Sequence, residues 1–279
     1  MSHEALATLV AMGMDAETSR TALAMSDENV EMALELLLSG AISPHPPPMH
    51  PMLPQPPRPP PPSSPTDERV EVCALSQYTF GGGGESGCTI ISLLAALEFL
   101  PQPGSSSLPL SVSAAQYEGV IGRGAAMASQ GQAHLSAEEV LPRMTGLKQN
   151  GEVLSGLITA AGAYETLIDA AVAAAASGSP VNNTYCAIVL TKPPESVCLS
   201  VPLVPATTDR AYILLDSHAR PQLGLSGAYI VSTPSKESIC RRLRLLFPPF
   251  PLPDLDEYQQ LLYNGVDGTC VSRTTVPDV

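Results

Sequence analysis

Cys88 places a nucleophilic side chain at the start of a helix pattern. It follows the glycine run 81–84 and Gly87, and the helix predicted to begin at Cys88 ends at Pro101. The buried stripe predicted for this helix comprises Ile90, Ile91, Leu94 and Leu97. A thiol at a helix N-terminus faces the positive end of the helix dipole, which favours the thiolate, and the N–H groups beside it can stabilise an oxyanion. The pattern predicts a cysteine nucleophile, and the alternative is a small buried residue in a glycine-rich turn.

A carboxylate and an imidazole stand two residues apart in "AYILLDSHARPQ", residues 211–222. The apolar run up to Leu215 predicts a central strand, and residues two apart on a strand share a face. Asp216 and His218 are therefore expected to project the same way, so that the carboxylate can orient the ring and stabilise the imidazolium. The other interpretation is the ordinary end of a strand, where polar residues lead into a loop.

The choice of a catalytic histidine is narrow. The chain has five histidines, and three of them lie at the N-terminus or in a proline-rich segment, which leaves His134 and His218. Ser136 and Glu139 form a capping box, so His134 lies just outside a helix start. Because no carboxylate is placed by sequence to orient His134, we interpret it as structural or as a surface residue, and we assign the base to His218.

Gln77 and the backbone N–H of Cys88 are the candidate oxyanion donors. Gln77 lies eleven residues before Cys88, and its amide would donate from the strand that precedes the nucleophile's loop. A metal centre is not expected, because the chain has no H-E-x-x-H motif, no clustered histidines and no cysteines at ligand spacing. We therefore predict neither a metal nor a cofactor.

Composition limits the class of protein. The chain has 279 residues and a formal net charge of -13, which argues against nucleic acid and anionic membrane as partners. The six cysteines are scattered without a C-x-x-C pair, so we expect reduced thiols in a cytoplasmic or nuclear protein. The N-terminus shows no signal-peptide pattern, and the longest apolar region is interrupted by acidic residues.

The chain is predicted to have three segments. Residues 1–42 show a pattern of three short helices, and residues 67–279 behave as one globular α+β domain. Between them, residues 43–66 form a proline-rich linker, since 13 prolines fall within 44–65. Such a segment cannot pack a core and adopts an extended polyproline-II conformation.

The apolar residues of 1–42 predict a small helical bundle. Asp15 and Asn29 are suited to cap the second and third helices, and Gly40 ends the third. The predicted core residues are Leu6, Leu9, Val10, Ala22, Leu23, Val30, Ala33, Leu34 and Leu37.

The stretch "LVAMGMDAETSRTALAMSDENVEMALELLLSG" resembles a ubiquitin-associated (UBA) domain. The Met-Gly-hydrophobic loop, the Asn-Val-Glu start of the third helix and the Leu-Leu-Ser-Gly ending match that family. The resemblance implies binding to the hydrophobic patch of ubiquitin through Met12, Gly13, Met14, Leu36 and Leu37. Exposed methionines provide an adaptable apolar surface, and the alternative is that the two loop methionines only close the bundle.

The pattern of 67–279 predicts alternating helices and strands. Short connections between the strands favour a mainly antiparallel sheet. Helices are expected at 112–128, 136–149, 152–176, 236–247 and 254–263, and strands at 184–191, 210–217 and 227–232.

The constellation of Cys88, Gln77 and Asp216-x-His218 resembles the papain-like cysteine peptidases. An acid two residues before the histidine is similar to the herpesvirus large-tegument-protein deubiquitinases. The resemblance implies that Cys88 is the nucleophile, that His218 is the general base and then the general acid, that Asp216 orients it, and that Gln77 is an oxyanion donor. It covers about twenty residues around each of Cys88 and His218, and Thr89 stands where papain has a tryptophan.

Together these resemblances imply a cysteine-type deubiquitinase with ubiquitin or polyubiquitin as its partner. The UBA domain would raise the effective concentration of ubiquitin near the active site. Two other functions remain open. In the first alternative, the C-terminal domain is a peptidase-like scaffold of a non-catalytic ubiquitin adaptor. In the second, it is a cysteine hydrolase that acts on a different substrate.

Overall fold

The computed structural model describes twelve ranges of the chain: 5–6, 9, 16–26, 29–30, 32–33, 68–81, 86–105, 111–129, 135–178, 183–204, 211–249 and 257–274. The chain divides into two compact units, Met1–Pro62 and Ser63–Val279. Within the described ranges, no helix is long and apolar enough to cross a membrane.

The N-terminal unit contains helix α1 (Ala16–Met25) and further helical residues at 5–6, 9, 30 and 32–33. Its core consists of Ala5, Leu9, Ala22, Leu23 and Ala33, with Leu6 and Val30 packed against it. These contacts confirm the predicted inward positions that fall on described residues. Asn29 accepts a hydrogen bond from the Met32 N–H at 3.1 Å, which confirms that Asn29 caps the third helix.

The predicted ubiquitin-contacting residues Met12, Gly13, Met14, Leu36 and Leu37 lie outside the described residues, as do Val10, Asp15, Leu34 and Gly40.

The C-terminal unit is organised around an eight-stranded sheet in which every pairing of named strands is antiparallel. The strand order is β1–β7–β6–β5–β4–β8–β2, and β3 also pairs with β8. The strands are β1 (Arg69–Val72), β2 (Leu147–Gln149), β3 (Leu154–Leu157), β4 (Tyr185–Lys192), β5 (Glu195–Pro202), β6 (Tyr212–Asp216), β7 (Tyr229–Thr233) and β8 (Gly265–Arg273).

Six described helices accompany this sheet. They are α2 (Cys88–Phe99), α3 (Ala114–Ala128), α4 (Ala137–Val140), α5 (Ala163–Gly178), α6 (Lys236–Leu246) and α7 (Glu257–Asn264). Three short 3-10 turns are formed by Gln77–Phe80, Leu141–Arg143 and Pro221–Leu223. The mixture of helices and antiparallel sheet confirms the predicted α+β class.

Helices cover both faces of the sheet, which explains why its central strands are apolar on both sides. In β4, Ala187 and Val189 join the cluster that contains α2 and α3, whereas Cys186, Ile188 and Leu190 join the cluster that contains α5 and α6. Side chains alternate between the faces of a strand, so two separate cores form around one sheet.

Close packing between α2 and α3 holds the helix that begins at Cys88. Gly124 of α3 lies against Ile91 of α2, and a Cβ at position 124 would come within 2.4 Å of the Ile91 Cγ1. A larger side chain there would push the two helices apart. The position of Cys88 therefore depends on this contact as well as on the sheet.

Most predicted elements agree with the structure, but two helices were predicted too long. The range 136–149 forms only α4 and a 3-10 turn before strand β2, and the first part of 152–176 forms strand β3. Gly146 and Gly162, which lie inside these two predicted ranges, have φ values of +97° and +72°, which favour glycine and interrupt a helix. Strands β1 and β8 were not predicted, since pairing with distant parts of the chain decides them. Strand β5 was not predicted either, although it forms a hairpin with β4.

Candidate active site

Cys88 is the first residue of helix α2, as the sequence predicted. Gly87 is the N-cap, and its carbonyl accepts the first helical hydrogen bond from the Ile91 N–H at 2.9 Å. The Cys88 side chain is 4% exposed. The thiol therefore lies at the N-terminal end of a helix, where the dipole favours a negative charge.

His218 and Asp216 form a buried, hydrogen-bonded pair where strand β6 ends. The His218 Nδ1 lies 2.6 Å from the Asp216 Oδ1, and the same oxygen accepts the His218 backbone N–H at 2.9 Å. Asp216 is 0% and His218 is 1% exposed. The ring orientation is thus fixed by a carboxylate two residues earlier.

The structure brings the side chains of Cys88 and His218 together, so that each shifts the pKa of the other. Because the Nδ1 of His218 is held by Asp216, Nε2 is the ring nitrogen that serves the thiol. Burial by itself would raise the pKa of Cys88, but hydrogen bonds and the charge of His218 outweigh it and lower the pKa. Cys88 contacts His218, and His218 contacts Asp216. This series of contacts is the arrangement that activates a thiol nucleophile.

The pKa values of the two partners shift in the directions that favour a thiolate–imidazolium pair. Burial would lower the pKa of His218, but Asp216 and Cys88 raise it to about 9. Burial would raise the pKa of Asp216, but His218 and Arg220 lower it. Both shifts favour an anionic Cys88 beside a cationic His218.

The hairpin between β4 and β5 contacts the Cys88 sulfur, which the sequence did not predict. The thiol donates to the Pro194 carbonyl oxygen at 3.7 Å, and the sulfur accepts hydrogen bonds from the backbone N–H and the hydroxyl of Ser196. The Ser196 hydroxyl is also within 3.0 Å of the Thr89 Oγ1 and 2.9 Å of the Thr191 Oγ1. Ser196 is thus positioned to stabilise the thiolate.

Gln77 lies at the start of a 3-10 turn rather than on the strand predicted for it. Its Oε1 accepts a hydrogen bond from the Ser217 hydroxyl at 2.6 Å, and its N–H donates to the Ser217 carbonyl at 2.9 Å. Ser217 stands between Asp216 and His218, so Gln77 is tied to that pair. Since its oxygen is held by Ser217, the amide orientation is set, with Nε2 as the donor atom.

Arg220 and Glu195 extend the pair beyond Asp216, and the Arg220 Nη2 also lies 3.5 Å from the His218 Nδ1. The Arg220 Nε donates to the Asp216 Oδ2 at 2.8 Å, and its Nη1 donates to the Glu195 Oε2 at 2.7 Å. In the sequence, the only sign was that Arg220 continues the two-residue spacing of Asp216 and His218. Nothing local pointed to Glu195, which arrives from the β4–β5 hairpin.

Tyr78 covers the other side of the His218 ring. The two ring centroids are 5.9 Å apart and the planes are inclined by 55°. Tyr78 is 47% exposed, so it stands between the buried imidazole and solvent. His134, the other histidine considered for catalysis, lies outside the described residues.

All six cysteines are free and buried. Among the described residues, no group of three or more His, Cys, Asp or Glu side chains is arranged to hold a metal ion.

Comparison with known families identifies the N-terminal segment. Residues 2–37 match the family model described as UBA/TS-N domain, so the chain carries a UBA domain at its N-terminus. This confirms the prediction for that segment and supports ubiquitin as a partner. A comparison with curated proteins finds no match to the chain.

Proposed function

We propose that this protein is a ubiquitin-directed cysteine protease, a deubiquitinase that cleaves after the C-terminal glycine of ubiquitin. The observation that carries this proposal is the contact sequence Cys88–His218–Asp216, with Cys88 at a helix N-terminus and its pKa lowered. A UBA domain in the same chain supports ubiquitin as the substrate. The UBA domain is compatible with an adaptor as well, but a buried thiol whose pKa is lowered by a histidine would not be expected of an inert scaffold.

The proposed reaction begins with the Cys88 thiolate attacking the carbonyl carbon of the glycine–lysine isopeptide bond. A C–S bond forms and the carbonyl becomes an oxyanion, which the Cys88 N–H and the Gln77 amide would stabilise. The intermediate collapses as the C–N bond breaks, and His218 donates its Nε2 proton to the leaving amine. Water then attacks the thioester carbonyl carbon while His218 takes one of its protons, and the C–S bond breaks. Ubiquitin leaves as a carboxylic acid that ionises, and the Cys88 thiolate and the protonated His218 are restored.

The placement of the elements supports a papain-like arrangement. Helix α2 packs on one face of the antiparallel sheet, with Ile90 and Ile91 in the same cluster as Ile213 and Leu215 of β6. This puts the nucleophile on a helix and the base at the end of a strand, as in the papain-like peptidases to which the sequence is similar. The acid on the same strand as the base is the feature shared with the herpesvirus tegument type.

Covalent labelling tests the proposal. Ubiquitin with a C-terminal thiol-reactive group would be incubated with the full chain and with Cys88→Ala, and the mass of the product measured. We expect a single ubiquitin-sized adduct that Cys88→Ala abolishes. Cys73→Ala is the matched control, because burial raises the pKa of Cys73 to about 12, and it should leave the adduct intact.

The outcomes separate the three functions that the sequence left open. No adduct on a folded wild-type chain that still binds ubiquitin would favour the non-catalytic adaptor. No adduct together with rapid alkylation of Cys88 by a small reagent would favour a cysteine hydrolase that acts on a different substrate.

A further inference from the structure

Arg220 is a buried cation with two carboxylate partners. It is 5% exposed, and its guanidinium joins Asp216 and Glu195, which come from different strands. A planar guanidinium can bind two carboxylates in fixed directions, which an ammonium cannot. Such a buried ion pair is costly to desolvate, so its placement directly behind Asp216 calls for a role in the site.

The contacts of Arg220 close a ring around the proposed nucleophile. Asp216 has two carboxylate oxygens: Oδ1 holds His218, and Oδ2 is held by Arg220. Glu195, which holds Arg220, is adjacent in the chain to Ser196, which contacts the Cys88 sulfur. The ring therefore runs from Cys88 through His218, Asp216, Arg220 and the β4–β5 hairpin back to Cys88.

We infer that Arg220, braced by Glu195, is a positioning residue that locks the Asp216 carboxylate and sets the pH range in which Cys88 is reactive. The inference rests on the proposed role of Cys88 as the nucleophile. Without Arg220, Oδ2 of Asp216 loses its charged donor, and the carboxylate is free to rotate away from the His218 ring. The Cys88 thiolate would also form beside two carboxylates with only one cation.

Among the described residues, the other titratable groups that face this network are phenols. The 3-10 turn supplies Tyr78, α3 supplies Tyr117 and β7 supplies Tyr229, which is opposite Asp216 in the β6–β7 register. Burial raises the pKa of all three tyrosines, so they stay neutral below pH 10. Over the neutral range, the charges near Cys88 are therefore those of His218, Asp216, Arg220 and Glu195.

Loss of charge at Arg220 and loss of charge at Glu195, the two members of the brace, should shift the pKa of Cys88 in opposite directions. Removing the Arg220 charge leaves excess negative charge near the sulfur, so the thiolate becomes harder to form and its pKa rises. Removing the Glu195 charge relieves negative charge, so the pKa of Cys88 falls. The charge of Glu195 also helps to raise the pKa of His218, so the upper limit of the imidazolium range should fall as well.

The experiment is the pH dependence of Cys88 alkylation by iodoacetamide, followed by peptide mass spectrometry on the full chain. In this reaction the thiolate sulfur bonds to the methylene carbon as iodide leaves. Wild type, Arg220→Gln, Arg220→Lys and Glu195→Gln would be compared, each first checked for a cooperative melting transition. The readout is the acid limb, which is the pH range where the alkylation rate falls as the thiolate is protonated. A residue with a merely structural role would change the melting temperature without moving the acid limb.

We expect Arg220→Gln to move the acid limb up by about one pH unit, which lowers the rate below that limb about tenfold. Arg220→Lys should move it less, because it keeps the charge and loses the two-carboxylate geometry. Glu195→Gln should move the limb to lower pH. An unmoved limb in folded Arg220→Gln, or shifts of the same sign in both Gln variants, would overturn the inference.

If Arg220→Gln does not fold, Glu195→Gln still tests the inference. The Glu195 side chain is 28% exposed, so the loss of its charge disrupts the fold less. The reagent does not involve ubiquitin, so the two proposals fail separately. Shifted acid limbs without a ubiquitin adduct would contradict the proposed deubiquitinase and support the role inferred for Arg220 and Glu195. A ubiquitin adduct together with unmoved acid limbs would support the deubiquitinase and overturn the role inferred for Arg220 and Glu195.

Discussion

Cys88 and Cys198 are both buried beside strand β5, yet their surroundings give them opposite chemical character. Cys198 is two residues after Ser196 on that strand and belongs to the apolar cluster of α2 and α3. Burial alone raises the pKa of Cys198 to about 12, whereas His218 and Ser196 lower the pKa of Cys88 against the effect of burial. Polar partners, rather than the depth of burial, therefore decide whether a buried thiol is reactive.

Cys270 shows that a lowered pKa is not sufficient. Its pKa is lowered by the hydrogen bond from the neighbouring thiol of Cys186, and the pKa of Cys186 is raised by the same contact. Both thiols are fully buried in the cluster of α5 and α6. A hydrogen bond between two thiols supplies no base, so we assign no catalytic role to that pair.

The largest effect that would sharpen the comparison is expected from His218→Gln. It removes the base that distinguishes Cys88 from Cys198, and we expect cleavage of a ubiquitin–peptide conjugate to fall by about 10³-fold. The measurement is kcat/KM. His134→Gln, which alters the other histidine of the C-terminal unit, is the control and should retain activity. Loss of activity in His134→Gln alone would mean that the base is misassigned.

Asp216→Asn should have the next largest effect. The amide carries no charge to stabilise the imidazolium, and we expect kcat/KM to fall by about 10²-fold. Asp267→Asn is a matched carboxylate control, because Asp267 is an exposed residue bonded to Ser155 at 2.6 Å, on β8. Equal activities of Asp216→Asn and wild type would contradict the orienting role of Asp216.

Ser196→Ala should have a moderate effect. The hydroxyl is one of two Ser196 donors to the sulfur, and a hydrogen bond to a charged group contributes about 1.5 kcal/mol, or roughly tenfold in rate. We expect alkylation of Cys88 below its acid limb to slow by about that factor. Ser200→Ala, on the same face of β5, removes a buried hydroxyl without a hydrogen-bond partner, and it should leave the rate unchanged. Similar rates for the two variants would remove Ser196 from the site.

The smallest expected effect concerns stability and pH. A His218 pKa of about 9, above its ordinary 6.5, stabilises the fold below pH 6.5, and this stabilisation is lost as the pH rises to 9. The lowered pKa of Cys88 acts in the opposite direction over this window. The two shifts therefore oppose each other, and the contribution of the pair to stability varies less with pH than that of His218 alone would.

Cys88→Ala removes the opposing group. We therefore expect its free energy of unfolding to decline relative to wild type as the pH rises above 6.5, by up to about 1.4 kcal/mol per pH unit. This window closes below pH 9, because Cys88 no longer raises the pKa of His218. Thermal melting at several pH values measures this slope. Cys198→Ala should lower the melting temperature at every pH without changing the slope, and parallel slopes for Cys88→Ala and wild type would contradict the ion pair.

Local sequence determined the parts of this protein that depend on neighbouring residues. The UBA segment, the helix that begins at Cys88, the capping box of Ser136 and Glu139, and strand β6 before Asp216 were all predicted. Each is encoded by apolar spacing and end signals within about ten residues. The short distance between Asp216 and His218 follows from the same cause, because two residues separate them in the chain.

Only the tertiary structure decided what surrounds those residues. Strands β2 and β3 exist because β8, more than a hundred residues later, supplies their hydrogen-bond partners. Likewise, the β4–β5 hairpin brings Ser196 to Cys88 and Glu195 to Arg220. No local pattern encodes such contacts, since they arise when the sheet brings distant segments together. The candidate nucleophile and base were therefore readable from the sequence, while the groups that tune them were not.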